Sequence, residues 1–350
     1  MNKYKICVDC LTRQNGNLYS QLRDKCFICS GLFDRLNSTC DQIVEATKDF
    51  DYRTFLIGVI LPHKFYDRED KIRSEYKIRG IENIKSHYCK KIRAKFGQMT
   101  RKKLELSNPD LSITVNIDPD LFATIAVRSK SLILKGRYTK RRRDLFGCNI
   151  MCALCDGVGC EFCNFSRWVR FSSIEDAIKK ILSFYIKYDS ATFCPSGRED
   201  EGSLVLGKGR PFYVTIKNPR KIFRKNLRID FGGLLLLIYE REIFQTGYIN
   251  KVKIYVNCED DKFDISPLNA TGPLCIGFKN KGKRDYKILY FMNVAKTSTK
   301  KFEIIMFCDN GLPIKRFIDG FEDTTPSASQ IIGKKCECQM FDILDIYATM

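Results

Sequence analysis

Seventeen cysteines and one carboxylate loop carry the chemistry legible in this 350-residue chain. Cys7-x-x-Cys10 and Cys26-x-x-Cys29 are separated by a short loop, and Cys152-x-x-Cys155 and Cys160-x-x-Cys163 by four residues, with Cys148 just upstream. Each pair turns two sulfurs toward one point, and two pairs close a tetrahedron around a soft cation. All four ligands at each place are then protein sulfur, so the expected sites are structural zinc sites with no open position for a reactant. At the second, Gly157 and Gly159 supply the reversal that a four-residue spacer requires. A redox pair or free thiols is the competing reading at the first site, and partly buried free thiols at the second.

The carboxylate sits in Ser196-Gly197-Arg198-Glu199-Asp200-Glu201-Gly202, ahead of Leu206–Phe212 (LGKGRPF) and Lys217-Asn218-Pro219-Arg220. Asp200 is thus an acid among Arg and Lys, on a glycine-flanked loop before a strand. Neighbouring cations hold such a carboxylate ionised and ready to act. The plainer reading is a surface turn with local ion pairs. A third feature is the basic run from Gly136 to Arg143, with Arg137, Lys140, Arg141, Arg142 and Arg143 around Tyr138. It reads as an RNA-backbone contact, a nuclear address or a solvated face.

The elements that must position these groups follow from periodicity. Within Lys71–Lys103, Ile81, Ile84, Tyr88, Ile92 and Phe96 recur at spacings of three to four, which predicts a helix with a basic outer face. Strand-like runs flank it at Phe55–Leu61, Ser112–Ile117 and Ser131–Leu134, so the first part reads as a small α+β domain. Ser173 and Asp176 form a capping-box start, with Ile174, Ile178, Ile181 and Tyr185 as the apolar stripe. Beyond it, Pro211–Lys217, Lys251–Cys258, Tyr286–Phe291, Phe302–Phe307 and Phe341–Tyr347 alternate as strands of a mixed, largely antiparallel sheet. The fold class is therefore α+β, with domains expected over 1–135 and 136–350.

Charge narrows the partner. The chain carries a net +19, and its first 150 residues hold thirty basic against seventeen acidic side chains. That excess favours a polyanion through counterion release. No apolar run nears the roughly 18 residues of a membrane span, and Leu234–Tyr239 has the length of a buried strand. The opening MNKYKICVDC has no apolar leader core, so an intracellular place, cytoplasm or nucleus, is expected. A zinc deaminase needs His-x-Glu, and neither His63 nor His87 provides it. A methyltransferase needs a glycine-rich turn opening a helix, whereas Gly207-x-Gly209 runs into Pro211 and a strand.

Gly197-Arg198-x-Asp200 resembles the catalytic loop of RNA pseudouridine synthases. The longer string GREDEGSLVLGKGRPFYVTIKNPRK is similar to the family numbered ten among them, which modifies the TΨC arm of tRNA in archaea and eukaryotes. GRYTKRRRDL resembles the segment before that family's catalytic domain, and CALCDGVGCEFC the cysteine knuckle of its archaeal members. The N-terminal cysteines and basic α+β region look like its zinc-bearing THUMP region, an RNA-binding module. Lys253-Ile254-Tyr255 resembles the motif whose tyrosine stacks on the target base, and Gly311–Lys315 the motif whose basic residue pairs with the catalytic acid. Gly202 stands where the family has a second acid, Pro313 where it has a tyrosine, and FEDTTPS where it has a glycine-arginine-threonine run.

The resemblance implies a tRNA pseudouridine synthase acting in the TΨC arm at tRNA position 54, 55 or both. Asp200 would be catalytic, with Tyr255, Lys315 and Arg198 binding substrate. It implies tRNA as partner, no nucleotide cofactor, no membrane, and a chain working as a monomer. The rival reading is a non-catalytic tRNA binder or chaperone derived from a synthase.

Overall fold

A computed structural model describes residues 4–15, 25–223, 225–239, 247–321 and 323–349. It divides into two compact units, one of residues 1–132, 186–190 and 216–222, the other of 133–185, 191–215 and 223–350.

In the first unit the sheet runs Lys103–Leu104, Thr54–Ile60, Leu111–Ile117, Ala123–Ser129; only the last pair is antiparallel. Leu111, Ile113, Val115 and Ile117 are buried and the residues between them exposed, the period-two signature of a sheet covered on one face. Helices Leu36–Thr47 and Ile84–Thr100 pack on each other, and their buried residues join the strands' in one core. Asn83 starts the second of these, its side chain accepting from the Ser86 amide at 2.8 Å. Ile84, Tyr88, Ile92 and Phe96 are buried as the stripe predicts. Ile81 is not: it precedes the cap and is 72% exposed. Glu69, buried in helix His63–Glu75, pairs with buried Arg13 and accepts from the Ile84 amide at 3.0 Å, so the N-terminal segment is anchored by a buried ion pair.

Asn218 and Arg220 fold into this unit too. The Asp51 amide donates to the Arg220 carbonyl at 2.8 Å, the Ser129 amide to Asn218 Oδ1 at 2.8 Å, and the Arg220 guanidinium lies 4.3 Å over the Phe50 ring. The Asn-Pro-Arg turn, grouped with Asp200 by sequence, is therefore a packing element of the first unit.

The second unit is built on a ten-stranded sheet ordered Leu227–Asp230, Leu234–Tyr239, Leu132–Lys140, Val205–Lys217, Cys336–Ala348, Tyr248–Cys258, Lys301–Asp309, Lys283–Lys296, Leu274–Asn280; Ser190–Pro195 pairs with Val205–Lys217. Val205 meets Ile343 in a parallel pairing, while Cys336–Ala348 and Tyr248–Cys258 run antiparallel. The sheet is mixed and largely antiparallel, as expected, and the α+β class holds. Several strands exceed the apolar runs that marked them. Val205–Lys217 begins well before Pro211, since Gly207 and Gly209 let it pass where a Cβ would lie 2.5 Å from Asp345 Oδ1 and 2.6 Å from the Tyr138 carbonyl. Helix Ile174–Tyr185 has the predicted Ser173 cap, the Asp176 amide donating to Ser173 Oγ at 3.1 Å, but the Asp176 carboxylate accepts from the Ser172 amide at 2.9 Å instead of closing the box on Ser173. Short strands Asn149–Met151 and Trp168–Arg170 pair beside the second cysteine cluster. Among the described residues no helix is long and apolar enough to cross a membrane.

Candidate active site and cysteine sites

The acid loop spans the gap between strands Ser190–Pro195 and Val205–Lys217, and it is held from both sides. Gly197 adopts φ +82°, and a Cβ there would meet Asn310 Oδ1 at 2.4 Å and Arg210 Nη1 at 2.6 Å, so only glycine admits this approach. Arg210 is fully buried; its Nη1 donates to the Ser196 carbonyl at 2.6 Å and its Nε lies 2.7 Å from Glu199 Oε2. Tyr138 donates to the other Glu199 oxygen at 2.7 Å. Burial, and then the Glu199 charge, push the Tyr138 phenol well above its ordinary pKa, so it remains a donor. Asn310 Nδ2 donates to Ser196 Oγ at 2.9 Å.

On the far side of Asp200, Arg143 grips Asp342 through two bonds of 2.7 and 2.6 Å, and Arg143 also donates to the Gly202 carbonyl at 2.7 Å. Asp342 in turn accepts from the Leu204 amide at 2.9 Å. Glu199 and Arg210 lie within the motif, where the sequence marks them only as neighbours of Asp200. Asp342 left a fainter signal, an acid between the apolar residues Phe341 and Ile343 of a strand.

Lys315 lies in helix Ile314–Asp319, which begins directly after Pro313; a proline costs nothing there, because a first-turn amide has no intrahelical partner. That helix packs on strand Cys336–Ala348 and brings Lys315 Nζ to 2.9 Å from Asp200 Oδ2. Hydrogen bonding to Asp200, then its charge, raise the Lys315 pKa above the usual lysine value. Asp200 opens on a cleft of about 460 Å³ whose walls include Tyr138, Lys140, Phe146, Phe193 and Arg198. Arg198 is exposed and, among the described residues, forms no ion pair, so the cation beside Asp200 is Lys315 alone. Tyr255 is half-buried on strand Tyr248–Cys258 opposite Met340, with Lys253 Nζ 5.0 Å over its ring. No hydrogen bond joins it to Asp200 among the described residues; its phenol lies within electrostatic reach of Arg143.

The basic run is divided by its own backbone. Arg137 and Lys140 belong to strand Leu132–Lys140, where Arg137 donates to the Gly209 carbonyl at 3.1 Å. Lys140 is buried, its ammonium on the Glu201 carbonyl, and burial lowers its pKa. Lys140 and Arg143, the latter paired with Asp342, thus hold the acid loop. Arg141 and Arg142 are exposed, beside Asp230 and Asp144 at 3.6 and 2.8 Å.

Both cysteine quartets assemble, all four sulfurs in each lying within 4.8 Å of one another. Cys7 and Cys29 sulfurs are 3.6 Å apart, Cys152–Cys160 and Cys155–Cys163 3.9 Å, and Cys160–Cys163 3.8 Å. A tetrahedron with metal–sulfur bonds of about 2.3 Å has sulfur–sulfur edges of about 3.8 Å, so the donors fit a four-thiolate metal site. Amides of Gly159 and Cys160 donate to the sulfurs of Cys155 and Cys163 at 3.2 Å, an arrangement that favours thiolate. Gly157 and Gly159 take the positive φ values, +74° and +111°, that the short spacer required.

Comparison with known proteins agrees with both units. The family described as "Pus10 THUMP domain, archaeal" matches residues 39–116, and that described as "Pus10, C-terminal" matches residues 133–231. The tRNA pseudouridine synthase Pus10 of Nitrosopumilus maritimus is 31% identical over 368 aligned residues, covering 99% of this chain and 96% of that protein. Those of Cenarchaeum symbiosum and Methanocaldococcus jannaschii are 27% and 28% identical, covering 98% and 93% of this chain and 90% and 76% of theirs. An N-terminal THUMP domain, a mixed sheet carrying the acid loop and full-length similarity converge: the chain belongs to the Pus10 family of pseudouridine synthases, which are isomerases.

Proposed function

We propose that this chain isomerises uridine to pseudouridine in the TΨC arm of tRNA, at position 54, 55 or both, with Asp200 as the acting carboxylate. The observation that carries the reading is the 2.9 Å pairing of Asp200 with Lys315 at the edge of an open cleft, on a loop whose ends are tied by Arg210 and Arg143. In the reaction the bond from the ribose C1′ to uracil N1 breaks, the base turns, and C1′ bonds to C5; the C5 proton is lost and N1 gains one. Nothing is oxidised or reduced. Asp200 starts cleavage as nucleophile or as base at the ribose. Lys315, held protonated, keeps that carboxylate charged as the RNA displaces water from the cleft. Tyr255 offers the flat surface that an everted base needs, and exposed Arg198 meets the substrate from the cleft wall.

In this reading residues 1–135 bind RNA and 136–350 perform catalysis, with tRNA as partner and the chain working as a monomer in cytoplasm or nucleus. Cys7, Cys10, Cys26 and Cys29 hold one structural zinc, and Cys152, Cys155, Cys160 and Cys163 a second. Each would cross-link its segment without touching the reaction. Incubation with an unmodified tRNA transcript, followed by pseudouridine mapping, tests the proposal. Product in the TΨC arm from the wild type and none from Asp200→Ala supports it; equal tRNA binding by both without any conversion would make the chain an RNA binder.

A further inference from the structure

A second concavity lies on the catalytic unit and shares no lining residue with the Asp200 cleft. It has a volume of about 510 Å³ and lies between the second cysteine cluster and helix Ile174–Tyr185, walled by Phe162, Trp168, Phe171 and Phe184 with Arg170 and Lys180. That is within the range of pockets enclosing small flat ligands. Trp168 is 52% exposed and Phe184 43%, and neighbouring Phe165 is 72% exposed. Rings left in water next to one another mark a surface that something else covers.

The rings are held rather than loose. Phe162 meets Phe184 edge-on at 5.6 Å and Phe231 at 6.2 Å, while Phe171 meets Phe231 edge-on at 5.0 Å. The backbone of Trp168 is set by pairing of its strand with Asn149–Met151. Around this aromatic wall the charge is cationic. Arg170 and Arg167, the residue before Trp168, are exposed and make no ion pair among the described residues, while Lys180, paired with Asp176 at 3.0 Å, lies 5.8 Å over the Phe171 ring. Glu161 is the one acid among the lining residues, and a carboxylate can accept from a base's amino edge but not from phosphate.

From this juxtaposition we infer a second RNA site: the pocket takes one unpaired nucleobase of the substrate, stacked on Trp168, with Arg167 and Arg170 on the adjoining phosphates. An aromatic platform rimmed by cations is how proteins hold single-stranded nucleotides without reading a duplex. The inference rests on the proposed reading that the substrate is RNA, and it adds a contact remote from the acid loop.

Trp168 is the only tryptophan in the chain, so its fluorescence reports this pocket alone. Titration with an unmodified tRNA transcript, and separately with a short oligoadenylate, should quench that emission saturably; a fully paired RNA duplex should not. Phe184→Ala should diminish the quench. Trp168→Ala should weaken tRNA affinity by about tenfold, measured by anisotropy of labelled tRNA, whereas Trp168→Phe retains a stacking ring and should bind within about twofold of wild type. If tRNA binds by anisotropy while Trp168 emission stays unchanged, or if the duplex quenches equally, the pocket is not a base site. Quenching that depends on protein concentration without RNA would assign the wall to a second copy and overturn the inference. Failure to form pseudouridine with the quench intact would instead count against the catalytic reading alone.

Discussion

Arg143 and Asp342 meet side by side through two hydrogen bonds of 2.7 and 2.6 Å, and between them they hold the Gly202 carbonyl and the Leu204 amide. The pair is a clamp on the downstream end of the acid loop. Asp342 is 4% exposed and Arg143 37%, so removing one partner strands the other partly desolvated. Arg143→Met or Asp342→Leu alone should lower unfolding free energy by roughly 1–3 kcal/mol, while the double replacement should cost less than the sum. Both single variants should slow single-turnover isomerisation by more than about tenfold, through displacement of Asp200. Denaturant melts and a double-mutant cycle check this; strict additivity would mean that the two groups do not act together.

The second prediction concerns Lys315. Losing its charge from beside Asp200 should lower the rate by about 10²-fold in Lys315→Gln, with Lys315→Arg recovering much of it. Because Asp200 raises the lysine's pKa from 10.5, the stabilisation from pairing is complete below that value and is lost only as pH rises through the higher folded one. The wild-type rate should therefore show no alkaline loss from this pair between about pH 7 and 9.5. An inflection in that range that disappears in Lys315→Gln would show the lysine titrating low, against the geometry.

How much of this was legible in the chain depends on whether a residue's role is local. Cys-x-x-Cys spacing, the Ser173 cap and the stripe from Ile81 to Phe96 are properties of a few consecutive residues, and they appear as read except at Ile81, which precedes the helix. The Asp200–Lys315 pairing joins distant segments, and the family resemblance pointed to it where spacing did not. Lys140 and Arg143 show what runs of like residues hide. A strand can bury a lysine when a carbonyl waits inside, as at Lys140, while Arg143, just past the strand and partly exposed, is drawn to a carboxylate that charge density alone does not reveal. Asp342 is silent in the sequence for another reason: its partner lies nearly the whole domain away.

Gly197 and Gly202 flank the same acid and should respond to alanine to very different degrees. Gly197→Ala places a Cβ within 2.4 Å of Asn310 Oδ1 at a φ of +82°, so the loop must move and conversion should fall by about 10²-fold. At Gly202 nothing lies within 4 Å of a Cβ, and Gly202→Ala should change stability by no more than about 0.5 kcal/mol. Gly202→Asp, which restores the family's second acid, should fold equally well. Comparable damage from the two alanine variants would show that the loop adopts another conformation in solution.

Metal stoichiometry tests the sulfur quartets one at a time. The purified protein should carry two zinc ions per chain, and Cys26→Ser should release one while loosening the N-terminal segment around buried Ile6 and Ile28. Cys160→Ser should release the other and leave the N-terminal ion in place. Metal analysis of each variant distinguishes the sites, and an unchanged count in either would mean that its thiols are free.

Salt dependence separates the basic residues that meet phosphate from those that only look able to. Log affinity for tRNA should fall linearly with log salt concentration, and each lost phosphate contact should reduce the magnitude of the slope by about 0.7–0.9. Arg141 is 53% exposed and, among the described residues, ion-pairs only with Asp230, at 3.6 Å, so Arg141→Ala should flatten the slope by about one contact while leaving the fold intact. Lys140 is buried against the Glu201 carbonyl. Lys140→Met should therefore leave the slope unchanged, with its loss appearing in the isomerisation rate and in thermal stability. Should Lys140→Met flatten the slope as Arg141→Ala does, the lysine reaches RNA and is not a prop of the acid loop.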